Sequence, residues 1–90
     1  MKYGFAISDR ALGEMFQAFE WYEEQSVGLG DRFMVELEKN FETIFNTPQS
    51  FKRSYKLFRQ IPFKKFPYLI VYFIDDFKKI IVVTSVFHTS

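Results

Sequence analysis

Tyr3, Phe5 and Ile7 alternate with Lys2, Gly4 and Ala6, the two-residue period of a half-buried strand. Ser8 and Asp9 follow with N-cap chemistry, because their side-chain oxygens accept from amides that a first helical turn leaves unpaired. Leu12, Met15, Phe16, Phe19 and Tyr22 then recur at helical spacing, with Glu14, Glu20, Glu23 and Glu24 largely on the other side. This predicts a helix from about residue 9 to 26. Val27-Gly28-Leu29-Gly30 breaks it, and Asp31 supplies a charge that favours a new helix start. Phe33, Leu37, Phe41 and Ile44 form a second apolar stripe to about Phe45, and Pro48 stops that helix. So short a connection makes the two helices an antiparallel hairpin.

Beyond Pro48 the period changes. Tyr55, Leu57, Arg59 and Ile61 fall on one face of a predicted strand, with Lys56 and Phe58 on the other. Pro62 opens a turn carrying Lys64 and Lys65. Phe66 to Ile74 is apolar on both faces, with Pro67 near the strand start, where a lost donor is tolerated. Asp75-Asp76 marks a tight turn, and Ile80 to Phe87 is a second doubly apolar strand. The order strand, helix, helix, three strands predicts an α+β domain of two layers, a helix hairpin packed on one face of a mainly antiparallel sheet. One domain covers residues 1–90.

Composition sharpens this picture at two points. Aromatic residues are 21% of the 90, and thirteen are phenylalanine. A domain of this size buries only a little over ~60% of its unfolded surface, so some apolar area is expected to meet a partner or a second copy of the chain. The net charge of +1 hides an asymmetry. Residues 1–45 hold nine acids and four bases, whereas residues 46–90 hold two acids and eight bases. The C-terminal half therefore suits a polyanion, either nucleic acid or an acidic protein segment. Cysteine is absent and histidine occurs once, which excludes a disulfide framework and argues against a zinc centre. No metal or cofactor is expected. No apolar run reaches ~18 residues, so no membrane segment is expected, and a cytoplasmic location fits best.

Trp21-Tyr22-Glu23, Gly28-Leu29-Gly30-Asp31-Arg32-Phe33, Ile44 with Pro48, Arg59, and Phe66-Pro67-Tyr68 with Ile70 and Tyr72 come in an order that resembles the RelE/ParE superfamily of toxins from type II toxin–antitoxin (plasmid stabilisation) modules. The resemblance spans nearly the whole chain, with His88 closing the last strand. It implies two N-terminal helices over an antiparallel sheet, with an antitoxin wrapped around the toxin. It also implies one of two activities: RelE-like members cut messenger RNA in the ribosomal A site, and ParE-like members poison DNA gyrase without chemistry of their own.

Metal-free RNA cleavage needs a base for the 2′-hydroxyl, a cation for the phosphorane and an acid for the leaving oxygen. His88 suits the acid or base role, because its ordinary pKa lies near neutrality. Arg59 suits the phosphate, although pairing with an acid from the helices would equally explain it. Glu42, or a glutamate closer to the sheet, is a candidate base. Lys56, Lys64 and Lys65 are candidates for gripping an RNA backbone or an acidic partner, or serve as solvated charges that keep sheet edges apart. RelE-like sequences place an arginine directly after the tyrosine of the third strand, where this chain has Leu69. They carry another arginine beyond the last strand, where it has His88-Thr89-Ser90. The expectation is therefore a toxin that acts by binding. A ribonuclease using Arg59 and His88, or a toxin fold that only binds antitoxin, are the alternatives.

Overall fold

The computed structural model describes residues 3–89. Lys2 and Ser90, named above, lie outside them. The elements are β1 (Gly4–Ile7), α1 (Asp9–Gln25), α2 (Leu29–Asn46), β2 (Arg53–Tyr55), β3 (Phe58–Pro62), β4 (Tyr68–Asp75) and β5 (Ile80–His88). They form the expected α+β arrangement of a helix hairpin on one face of a five-stranded sheet ordered β1-β5-β4-β3-β2. Strands β2 to β5 make an antiparallel meander, and β1 closes the sheet by pairing parallel with β5.

Local chemistry sets the helix boundaries. The Ser8 hydroxyl oxygen accepts from the Ala11 amide at 3.1 Å, as its N-cap position predicts, and donates to the Thr84 carbonyl, tying the helix start to β5. At the helix–helix turn Gly28 has φ 90°, a conformation that costs a side-chain-bearing residue energy. The Glu23 carboxylate reaches across to accept from the Gly28 and Gly30 amides at 2.9 and 3.0 Å, which satisfies two donors of the α2 start. Gly30 is required by proximity: a Cβ there would lie 2.7 Å from the Phe19 carbonyl oxygen.

The buried stripe of α1 is Ala11, Met15, Ala18 and Tyr22, rotated from the predicted one. Two alanines let the helix approach the sheet closely, so Leu12 stands at the surface and Phe16 is 65% exposed. Phe33, Leu37 and Ile44 of α2 are fully buried as expected, against Ile61, Ile70, Tyr72, Ile81 and Val83.

A second correction concerns residues 55–61. The alternation there is that of two strands: β2 ends at Tyr55, Lys56-Leu57 makes a turn with Lys56 at φ 51°, and β3 begins at Phe58. Lys56 is thus a turn apex instead of a strand residue. Alternation survives a two-residue turn, and neither lysine nor leucine signals one.

Candidate functional site

The candidate residues divide between the two ends of the sheet. Arg59 lies on the helix-facing side of β3, opposite Tyr72 of β4. Its Nη1 donates to the carbonyls of Phe51 at 2.7 Å and Gln49 at 3.3 Å, and the Tyr72 hydroxyl donates to the Pro48 carbonyl at 2.7 Å. Together these side chains hold the irregular segment after α2, whose carbonyls have no ladder to join. Burial pushes the Tyr72 hydroxyl up to about 12 against a smaller opposing influence of the Arg59 cation, so it is a neutral donor at all ordinary pH. Arg59 also lines a cleft with Gln49, Arg53, Leu57, Ile74 and Asp76.

His88 stands at the opposite end, where β5 pairs it with Tyr68 of β4 and the two rings meet edge to face at 5.1 Å. A cleft of about 440 Å³ runs beside it, lined by Glu14, Gln17, Trp21, Tyr68 and Phe87 among others. Glu14 is engaged there: it accepts from the Ser85 hydroxyl and the Val86 amide at 2.9 and 2.8 Å, beside the irregularity at which β5 shifts register. The β3–β4 turn with Lys64 and Lys65 belongs to this end too. Both lysine amides donate to the Glu36 carboxylate of α2, which presents the two exposed side chains to solvent. Glu42 is exposed on α2.

Four residues of β4 and two interstrand spacings separate Arg59 from His88, which puts their Cα atoms on the order of 16 Å apart. The core layer of Ile70, Tyr72, Val83 and Val86 lies between them. One phosphate cannot be held by the first and protonated by the second.

Several of the residues that carry the sequence resemblance come together inside the protein. Tyr22 of α1, Phe33 of α2, and Phe66 and Tyr68 at the start of β4 form one aromatic cluster with Phe63, with ring centroids 4.9 to 6.1 Å apart. Glu23, Gly28 and Gly30 build the helix junction beside it. This part of the pattern records how the layers lock together.

Residues 5–90 match the family described as ParE toxin of type II toxin–antitoxin system, parDE. The chain belongs to the ParE toxin family. Solved structures agree on the fold. A chain of the chromosomal ParDE system from P. aeruginosa superposes with a TM-score of 0.85 at 9% identity, covering 99% of this chain and 98% of that one. The intact E. coli RelBE toxin–antitoxin complex gives 0.74 at 22% identity, with 98% of each chain covered. The archaeal RelE–RelB complex from Pyrococcus horikoshii OT3 gives 0.57 at 11%, covering all of this chain and 98% of that one. Among curated proteins, none matches the sequence. As a ParE-family protein the chain is a type II toxin, and among its described residues no helix is long and apolar enough to cross a membrane.

Sequence reasoning missed Arg53, Leu57 and Phe77, which stand at the Arg59 end. Only the Asp75-Asp76 turn signal hinted that anything would gather there.

Proposed function

We propose that this ParE-family toxin arrests growth by binding its target without chemistry of its own, that the target is DNA gyrase, and that it acts in the cytoplasm until an acidic cognate antitoxin neutralises it. The observation that carries the reading is the division of the candidate residues. Arg59 directs its Nη1 at the Gln49 and Phe51 carbonyls, and His88 lies at the far end of the sheet. A phosphoryl-transfer site needs these groups within hydrogen-bond reach of one substrate. Gyrase enters through the family resemblance, and Leu69 in place of an arginine supports the same branch.

For the antitoxin, the support is the uncovered side of the sheet. Phe58, Leu69, Val71, Phe73 and Val82 lie on the side away from the helices, with Phe58 and Phe73 in edge-to-face contact at 5.7 Å. Apolar sheet surface of this kind calls for a cover, and the basic residues of the C-terminal half favour an acidic one. RelE neighbours have been solved with RelB antitoxin, one of them with a RelB peptide. A supercoiling assay with purified gyrase tests the reading: the chain should inhibit supercoiling, and added antitoxin should restore it. Full supercoiling at a large molar excess of the toxin would refute the gyrase assignment.

A further inference from the structure

The chain folds back twice at the Arg59 end of the sheet, through Lys56-Leu57 between β2 and β3 and through Asp76 to Lys79 between β4 and β5. Leu57 and Asp76 line one cleft, so the two turns stand side by side and present one surface. Both turns carry the same pair of costly features. The first is exposed apolar area: Tyr55 is 65% exposed, Leu57 62% and Phe77 96%. The second is backbone strain, with Lys56 at φ 51° and Lys79 at φ 58°. Among the described residues these are the two non-glycine positions of positive φ, and both are lysine. Glycine or asparagine makes such turns at lower cost. Strain and apolar exposure kept together at two adjacent turns point to a surface retained for binding at the expense of stability.

The charge at these turns calls for an acidic partner. Residues 52–57 and 75–79 contain five bases and two acids. Both acids are engaged within the protein: Asp75 accepts from the Lys78 amide and Asp76 from the Tyr3 hydroxyl. The Lys56 ammonium lies 5.3 Å from the Tyr55 ring centre, which joins cation and apolar surface in one patch. Tyr55 and Phe77 carry rings that stack on bases as well as fill a recess. The choice of a protein therefore rests on the reading of the chain as a toxin that binds a protein target, and on Leu57, whose saturated side chain adds apolar area that base stacking does not use. A protein with acidic groups around an apolar recess answers both features: Phe77 fills the recess and the lysines meet the acids.

We propose that the paired β2–β3 and β4–β5 turns are the surface with which this toxin grips its cellular target, an acidic protein surface with an apolar recess, separate from the open sheet face assigned to the antitoxin. The proposal rests on the reading of the chain as a toxin that acts by binding. Two variants of the full chain test it. Phe77→Ser removes the anchor from a fully solvated position, so its melting midpoint should match the parent. Lys56→Gly/Lys79→Gly relieves the backbone while deleting two cations, and should raise the midpoint by about 2–5 °C. Each should weaken gyrase inhibition and growth arrest on induction by about 10-fold or more. A glycine variant that is more stable yet less toxic is an outcome that a purely structural role for the lysines does not allow.

Parental toxicity in both variants overturns the proposal, and so does a glycine variant that loses stability and toxicity together. Loss of antitoxin neutralisation with toxicity intact also overturns it, by assigning the turns to the antitoxin. If the parent binds labelled single-stranded RNA and the variants lose that binding along with toxicity, the partner is nucleic acid and the proposal falls. If the parent arrests growth without inhibiting gyrase, the gyrase assignment fails, while the comparison of growth arrest among the variants still decides the surface.

Discussion

Replacing Arg59 by alanine removes the 2.7 Å bond to the Phe51 carbonyl and the 3.3 Å bond to the Gln49 carbonyl. Hydrogen bonds to charged groups contribute about 1.5–3 kcal/mol each. The second bond is long and exposed, so the pair together is assigned about 2–3 kcal/mol. Unfolding entropy near ~2.1 cal/mol/K per residue gives about 190 cal/mol/K for this chain, so each kcal/mol shifts the melting midpoint by about 5 °C. Arg59→Ala should therefore melt about 10–15 °C lower by circular dichroism. Arg59→Lys keeps a cation and one donor direction but loses the planar fork, and should fall between variant and parent. An arginine waiting for a phosphate would behave differently. Its removal would leave the midpoint within about 3 °C, as surface substitutions do, and abolish activity. A midpoint that close to the parent's would refute the assignment of Arg59 to the segment after α2.

Two other perturbations have directions set by the structure. Gly30→Ala gains up to about 1 kcal/mol of helix propensity, but its Cβ would meet the Phe19 carbonyl oxygen at 2.7 Å and the Phe19 ring at 2.8 Å, and the helices must separate. The clash should win by about 2–3 kcal/mol, visible as a lower urea midpoint, and an unchanged midpoint would show that the helix crossing is looser than described. Tyr72 titrates near 10 when unfolded and at about 12 when folded, because burial disfavours the phenolate. Its contribution is fully present below pH 10 and is lost as the pH rises toward 12, by about 2–3 kcal/mol. Tyr72→Phe should flatten that alkaline decline in melting midpoint while lowering stability near pH 7 through loss of the bond to the Pro48 carbonyl; an equally steep decline would place the titration elsewhere.

Features coded locally were legible in the sequence. Ser8 caps α1, the Gly28-Leu29-Gly30 break gives the helix hairpin, and the doubly apolar strands β4 and β5 run side by side in the sheet. Features fixed by distant partners were not. The parallel pairing of β1 with β5 joins residues more than seventy positions apart, and no local period announces it. The buried face of α1 depends on which side chains let the helix approach the sheet, so Ala11 and Ala18 took the place predicted for Leu12 and Phe16. The Lys56-Leu57 turn lacks the glycine or asparagine that marks such turns, and the strain that hid it is what makes it informative. In the sequence, Arg59 reads as a partner for a phosphate or for an acid from the helices. Its partners are main-chain carbonyls, which no side-chain pattern discloses.

The claim that this toxin binds and does not cut is tested most directly by primer extension on a reporter messenger RNA in a cell-free translation reaction, with and without the protein. Intact message at toxin concentrations that arrest growth is the predicted result. New 5′ ends within codons, dependent on ribosomes and absent with His88→Ala, would contradict it and return His88 to a catalytic role.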